Sequence, residues 1–333
     1  MAAASNGLKR ITAKNFMIFA NAEFNFSSGL NIITGDEGTG KTTLLNLGYA
    51  LLTSTMAPFK GFPAAAIETQ LKIRLDKDDI STFSSKGEVV IHGEWGEKGQ
   101  TTFLVTKEDR EWNHFVGEDP GSQCFERLPS SPVFIPYPRL PYDLCCALKN
   151  PPRDTTFTPE IEEAMLIATQ SAGCCYTLVN RGWCLDVKNI LPYGSKGDPE
   201  FCSSGDLVMV TIERFLRNKT LNRGATLFWD LPETGLSVRL QRKIAQILAL
   251  LSRVMQVIVA TKSLTLLREF DILCREGNLK NTHFINLLRT DEKVKVFEGD
   301  TADDVGDFGM LDEYLEQSKR FMNITYQEAS KEC

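Results

Sequence analysis

Histidine is scarce in this chain, with three in 333 residues, and the three are scattered. Nine cysteines include the adjacent pairs Cys145-Cys146 and Cys174-Cys175 but no C-x-x-C spacing. A zinc site is therefore not expected, and free thiols of a reducing cytosol are. No long apolar run is present. The longest apolar region, Ile244 to Ala260, carries Gln246, Ser252, Arg253 and Gln256. It reads as a helix, a break and a strand rather than a membrane span. Met1 to Gly7 is small and polar, with no apolar core of a signal peptide, so a cytoplasmic protein is expected. No heptad run reaches the length a coiled coil needs. Basic charge is not in excess either. A net charge of −6 argues against a surface dominated by phosphate contacts and leaves room only for a local basic groove. What is present is ordinary for a folded core: 42% hydrophobic and 24% charged residues. A chain of 333 residues makes one elaborated domain or two small ones.

The most informative stretch is Gly35-Asp36-Glu37-Gly38-Thr39-Gly40-Lys41-Thr42-Thr43, which fits Gly-x-x-x-x-Gly-Lys-Ser/Thr at every fixed position. The apolar run Leu30-Asn31-Ile32-Ile33 precedes it. Thr42 to Leu52 follows, with Leu44, Leu45, Leu47, Leu51 and Leu52 on helical spacing. A strand passing through a Gly-rich turn into a helix aims backbone N–H groups and a helix N-terminus at one point, which is an anion site. Lys41 would reach the β- and γ-phosphates and the Thr42 hydroxyl a Mg²⁺ ion. A strand–turn–helix that binds no nucleotide is the bland alternative.

Along the chain, Leu8 to Phe16 and Ala22 to Phe26 read as strands, the second ending at Ser27-Ser28-Gly29. Met56 to Ala66 is a loop. Leu71 to Leu75, Glu88 to Gly93 and Thr101 to Val105 read as strands of an antiparallel sheet. Lys107 to Pro132 is polar and reads as loop, and Val133-Phe134-Ile135-Pro136 as a buried strand. Thr158-Pro159 starts a helix that runs to about Ala172. Leu191 to Asp198 reads as a mobile loop. Cys202-Ser203-Ser204-Gly205-Asp206 opens an apolar helix from Leu207 to Leu216, a second anion site by the same physics or a plain helix cap. Thr226 to Asp230 is an apolar strand ending in a carboxylate. Arg239 to Leu251 reads as helix and Gln256 to Ala260 as strand. Thr282 to Leu288 and Val294 to Phe297 form a hairpin, and Asp307 to Met322 a final helix.

Two strands before the phosphate loop resemble the N-terminal hairpin of the RecF/SMC branch of ABC-type ATPases, with OLD-like compact heads as the nearest type. Asn15-Phe16-Met17-Ile18-Phe19 and Gly29-Leu30-Asn31-Ile32-Ile33-Thr34-Gly35 follow the family pattern, with Glu37 where Asn is common. Ser203, Ser204 and Gly205 resemble the signature Leu-Ser-Gly-Gly-Gln/Glu, Cys202 and Ser204 being departures and Asp206 filling the acidic slot. Asp230-Leu231-Pro232-Glu233-Thr234-Gly235-Leu236 resembles Asp-Glu-Pro-Glu-x-Gly-Leu. In that register Asp230 is the Walker B carboxylate that holds Mg²⁺, and Leu231 fills the slot of the catalytic Glu. Thr261-Lys262-Ser263 stands where the family has Thr-His-Ser, so Lys262 replaces the histidine that senses the γ-phosphate. Lys262 could still contact a phosphate, and Glu233 could stand in as base.

The resemblance implies an α/β fold: a P-loop NTPase of ABC-ATPase type with a mixed central sheet, a flanking antiparallel β subdomain and a helical signature subdomain. It implies one ABC-type domain over residues 1–333, with a β/phosphate-loop lobe (1–110), a helical signature lobe (130–220), a Walker B lobe (221–300) and a C-terminal helix and tail (301–333). The expected cofactors are ATP and Mg²⁺. The implied catalytic residues are Lys41, Asp230, Glu233 and Lys262. The phosphates would be held by Gly35 to Thr43 with Ser203, Ser204 and Gly205, and the metal by Thr42 and Asp230. The expected function is an ATP-dependent dimerising clamp or switch with slow hydrolysis, in DNA repair, chromosome handling or anti-phage defence. The partners implied are a second copy of the chain, an effector such as a nuclease, and DNA gripped near Lys14, Arg74 and Arg139; no membrane is implied. A true turnover enzyme, a scaffold that holds ATP permanently and a small-molecule kinase are the rivals.

Overall fold

The structure, a computed structural model, describes residues 7–53, 88–108, 111–116, 132–135, 157–172, 204–290, 293–306 and 309–329. Eleven strands run in chain order among them: β1 Leu8–Phe16, β2 Phe19–Asn25, β3 Leu30–Gly35, β4 Val89–Trp95, β5 Gly99–Glu108, β6 Glu111–Val116, β7 Val133–Ile135, β8 Thr226–Asp230, β9 Gln256–Ala260, β10 Thr282–Thr290 and β11 Lys293–Gly299. The helices are α1 Lys41–Thr53, α2 Pro159–Ser171, α3 Ser204–Arg217, α4 Val238–Leu251, α5 Leu264–Arg275 and α6 Gly309–Ala329, with a 3₁₀ turn at Asp303–Val305.

The strands make two sheets. One is antiparallel, in the order β2-β1-β4-β5-β6; the other is mixed, in the order β11-β10-β3-β9-β8-β7, with only β11 antiparallel. The central strands of the second sheet are buried on both faces, which is why β8 (Thr226–Asp230) and β9 (Gln256–Ala260) read as unbroken apolar runs. Successive side chains go to opposite faces. Ile33, Phe228, Ile258 and Ile285 join α1 and the antiparallel sheet in one core. Ile32, Leu227, Trp229, Val257 and Phe284 join α2 to α5 in the other. Helix α1 is therefore held between the two sheets, and its first residue is placed by both.

Gln256 ties the layers at one end. Its Oε1 accepts from Leu8 N at 2.8 Å, and its Nε2 donates to Leu8 O and Ser27 O, each at 2.7 Å. The β1–β2 hairpin ties them at the other. A Cβ on Gly40 would come within 2.7 Å of Phe19 Cζ and 2.8 Å of Ile18 Cγ2, and Gly40 has φ +96°. The hairpin tip rests on the phosphate loop, and only glycine admits it there.

Three expectations need correction. Lys107 to Pro132 is not loop throughout: Glu111–Val116 is a strand, paired antiparallel with β5 from Glu108 opposite Glu111 to Phe103 opposite Val116. Its connecting residues Asp109-Arg110 contain no Gly or Asn, so the usual hairpin signal is missing. Leu264–Arg275 is a helix that the sequence reading passed over. The last helix reaches Ala329 rather than Met322. Met56 to Ala66, Leu71 to Leu75, Arg74, Arg139 and Leu191 to Asp198 lie outside the described residues.

Candidate nucleotide site

Strand β3 delivers Gly35 to the C-terminal edge of the mixed sheet, and α1 starts six residues later at Lys41. Gly35 has φ +135°, and a Cβ there would fall 2.2 Å from Leu287 O on β10, so a side chain at this first loop position would force β10 away from β3. Thr39 is buried, and its hydroxyl donates to Asp36 O at 2.8 Å, which closes the loop on itself. Lys41 is 8% exposed, and its ammonium donates to Gly35 O at 2.6 Å and Asp36 O at 2.7 Å. Burial pulls its pKa down, while Asp36 and Asp230 pull it back up. The ammonium is thus tucked against two carbonyls at the mouth of the loop, where an incoming phosphate would be a stronger partner.

Strand β8 brings the carboxylate from the other side of the sheet. Thr42 Oγ1 donates to Asp230 Oδ2 at 2.8 Å. Asp230 is 4% exposed, and its second oxygen, Oδ1, is buried with no hydrogen bond among the described residues. Burial raises its pKa, against the Thr42 hydrogen bond and the Lys41 charge. A buried carboxylate oxygen without a partner beside a hydroxyl is the donor set of a hard divalent cation. Thr42 and Asp230 therefore fit Mg²⁺ with the residues in hand. Among the described residues no cluster of three His, Cys, Asp or Glu offers a rival metal site.

After Asp230 the chain turns sharply. Leu231 adopts φ +49°, a left-handed conformation that costs a non-glycine residue about 1–3 kcal/mol. Its N–H still donates to Ala260 O at 2.9 Å, so the turn is held by β9. Leu231 is thus a strained, aliphatic residue directly after Asp230. Glu233, two residues on, is turned inward. Its Oε1 accepts from Lys262 N at 2.9 Å, and the carboxylate also takes a hydrogen bond from the Thr261 side chain. Burial raises its pKa, and the charge of Asp230 pushes the same way. The structure thus joins Asp230, Glu233 and the Thr261–Ser263 turn in one constellation. The Lys262 ammonium lies 3.1 Å from Glu37 Oε1 on the phosphate loop, with both side chains exposed. Ser263 caps α5 by accepting from Leu266 N at 3.2 Å, and its hydroxyl donates to Gln241 Oε1 at 2.7 Å.

Two other parts of the sequence reading meet the structure differently. Ser203 lies outside the described residues, as does the side chain of Ser204, the first residue of α3. Gly205 is buried against the turn that follows Asp230: a Cβ there would come 2.5 Å from Leu240 Cδ1 and 3.7 Å from Gly235 O. Gly205 and the turn at Gly235 are thus neighbours within one chain. Arg289 was not singled out from the sequence. It follows the part of β10 paired with β3, and a Cβ on Gly38 would come 3.4 Å from Arg289 Nη1. It is exposed, and its backbone pairs with Val294 of β11. The signal that could have found it is topological: β10 is the parallel neighbour of the phosphate-loop strand.

A family model described as an AAA domain matches residues 10–115. No curated protein matches the chain. Among solved structures, an SMC head bound to the C-winged-helix domain of ScpA superposes with TM-score 0.51 at 14% identity, over 89% of this chain and 98% of that one. The fold is that of an SMC head. The SMC head domain from Thermotoga maritima aligns over 87% of this chain and 98% of its own, at 11% identity and TM-score 0.49. The SMC-head fold is a P-loop NTPase fold of the ABC type, as the sequence reading expected. Among the described residues no helix is long and apolar enough to cross a membrane.

Proposed function

We propose that the chain is a Mg·ATP-binding head that closes on a second copy of itself and reopens as nucleotide leaves. The observation that carries this reading is the buried, unpartnered Oδ1 of Asp230 beside Thr42, at the base of a phosphate loop whose lysine is already aimed inward. Thr42 and Asp230 would hold Mg²⁺, which when bound would supply positive charge against the phosphates. Around it the chain's own residues divide the work. Lys41 would exchange its two carbonyl contacts for phosphate oxygens. Arg289 adds a cation at the outer rim of the loop. Lys262 holds Glu37 across the mouth, where the added negative charge of a γ-phosphate would compete for its ammonium. Gly205, packed against the Gly235–Leu236 turn, supports transmission of nucleotide state to the signature-like helix α3. Ser203, with no role assigned in its own head, would cap the nucleotide of the second copy.

Hydrolysis is the weak function of this site, because Leu231 has no base to offer. A second reading is supported by Glu233. Its carboxylate is partly buried, and burial raises its pKa, as a general base requires, against hydrogen bonds from Lys262 N and the Thr261 side chain. A partner protein, of the kind ScpA is for the SMC head it binds, belongs to the same proposal, as do a cytoplasmic location and a role in DNA repair, chromosome handling or anti-phage defence with an effector such as a nuclease. DNA contact rests on the basic candidates Lys14, Arg74 and Arg139, and a single domain over residues 1–333 is part of the same reading. The test is association of the chain with and without Mg·ATP by sedimentation. Nucleotide should raise association, and Ser203→Arg should abolish the rise while leaving ATP binding intact. Association unmoved by Mg·ATP in the parent would overturn the clamp.

A further inference from the structure

The two sheets also meet away from the nucleotide site, where the end of β2 packs on β11. Glu298 of β11 holds Asn25, the last residue of β2, with both carboxylate oxygens. Oε1 accepts from Asn25 N at 2.8 Å and Oε2 from Asn25 Nδ2 at 2.9 Å. His283 of β10 is the next neighbour of that carboxylate. Its Nε2 faces Glu298 Oε2 at 3.7 Å, and its Nδ1 lies 3.4 Å from Asp300 Oδ1. The ring is 15% exposed, and Nε2 is buried with no hydrogen bond among the described residues. A separation of 3.7 Å is an ion-pair distance, too long for a hydrogen bond.

The charged groups that face the ring are both acids. Glu298 belongs to β11, and Asp300 follows it. The facing residue of β2 is Asn25, which is neutral, and β3 places neutral Asn31 opposite His283 in parallel register. Contact with Glu298 raises the His283 pKa, burial opposes the rise, and Asp300 adds to it. Burial acts to raise the Glu298 pKa, but the His283 and Asn25 contacts hold it below its ordinary range. A raised histidine pKa stabilises the fold below the ordinary value, and that contribution is lost as pH rises through the folded one. The lowered acid contributes above its ordinary value and loses its contribution as pH falls. The tie is therefore complete between the two pKa values. The neighbouring ties are neutral: Ser27 N donates to Asn31 Oδ1 at 2.7 Å, Gln256 Nε2 donates to Ser27 O, and Ser27 Oγ donates to Asn281 O at 2.7 Å. Strand β2 carries the consequence to the phosphate loop, because its first residue, Phe19, is the one whose ring meets Gly40.

We infer that His283 is a proton-operated tie between the two sheets. Protonated, it steadies Glu298 on Asn25 and holds β2 against the mixed sheet. Neutral, it leaves two carboxylates without their cation and loosens one end of the strand whose other end rests on the phosphate loop. The device belongs to the nucleotide-free chain and stands whether or not two heads close on Mg·ATP.

The test is NMR of the nucleotide-free full chain from about pH 5 to about pH 9, the range in which histidine titrates. The His283 signal is identified by its loss in His283→Gln, and amide exchange is divided by the chemical rate at each pH. His283 should titrate above the ordinary histidine value, and Glu298→Gln should move it down. Protection of the Asn25 amide should fall roughly twofold to fivefold as pH rises through that titration, the span of a partly exposed ion pair. In His283→Gln, with folding confirmed by circular dichroism, it should stay flat. A His283 that titrates at or below the ordinary value would overturn the inference. So would Asn25 protection that is flat across the titration in the parent, an equal fall in His283→Gln, or an equal fall at the β9 amides, which would mark loosening of the whole fold. The parent's own titration and exchange decide the matter if His283→Gln does not fold.

Discussion

Thr42 and Asp230 are 188 residues apart in sequence and 2.8 Å apart in the fold, hydroxyl to carboxylate oxygen. One lies in the first turn of α1, the other ends β8, and the contact exists because α1 is packed between the two sheets. The carboxylate is held at a cost: burial raises its pKa and leaves Oδ1 without a partner. That cost is what a bound cation would remove. A related pattern recurs at Glu233, a half-buried acid whose Oε1 accepts from Lys262 N and whose pKa burial also raises.

A pH prediction follows from both acids. Each has a folded-state pKa above its ordinary value. The folded state therefore holds more protons than the unfolded one between the ordinary and the raised pKa, and stability falls as pH rises through that window. Asp230→Asn keeps an acceptor for Thr42 and removes the penalty. It should melt higher than the parent at neutral pH without nucleotide, and it should lose the stabilisation that Mg·ATP gives. Differential scanning fluorimetry across pH checks both halves; an Asn variant less stable at neutral pH would count against the raised pKa.

Nucleotide affinity should depend on Lys41. Its charge-assisted contact to phosphate is worth roughly 1.5–3 kcal/mol, so Lys41→Ala should weaken ATP binding about tenfold to a hundredfold. Arg289→Ala should weaken it less, since Arg289 is exposed at the loop's rim. Calorimetric titration orders the two. Parental affinity in Lys41→Ala would remove the central claim.

Turnover should be slow in the parent. General-base help contributes typically about 10²–10⁴ in rate, and Leu231 supplies none. Leu231→Glu adds no new backbone strain, because the parent already pays for φ +49° there. It should raise turnover, with a further gain on adding Lys262→His. Fast basal hydrolysis abolished by Glu233→Gln would instead assign the base to Glu233.

Gln256 should matter to stability far from the nucleotide. Its side chain holds Leu8 N, Leu8 O and Ser27 O. Gln256→Ala leaves those groups without these bonds and should cost about 3 kcal/mol or more in denaturant unfolding. A cost well under 1 kcal/mol would mean that the hairpin is anchored elsewhere.

The strand–turn–helix around the phosphate loop, the two sheets' main strands and the end of β8 at Asp230 were legible in the sequence, for a physical reason. A tight turn, a buried strand and a helix start are set by neighbours in the chain, so Gly35, Gly40, Lys41 and Thr42 carry their meaning locally. Strand β6 and helix α5 were not read. The first lacks a glycine turn, and the second was hidden behind the Thr261–Ser263 motif although Ser263 caps it and Leu266, Leu267 and Phe270 have helical spacing. Other facts could come only from tertiary structure. Arg289 reaches the loop because β10 pairs in parallel with β3 across some 250 residues of intervening chain, an order that local pattern does not encode. The unpartnered oxygen of Asp230 and the raised pKa values of Asp230 and Glu233 arise from burial by residues distant in sequence, so the sequence could name the acids but not their protonation. The exposure of α6 was decided the same way. Its amphipathic spacing is in the sequence, but whether the fold covers that stripe depends on where the sheets leave room for a helix.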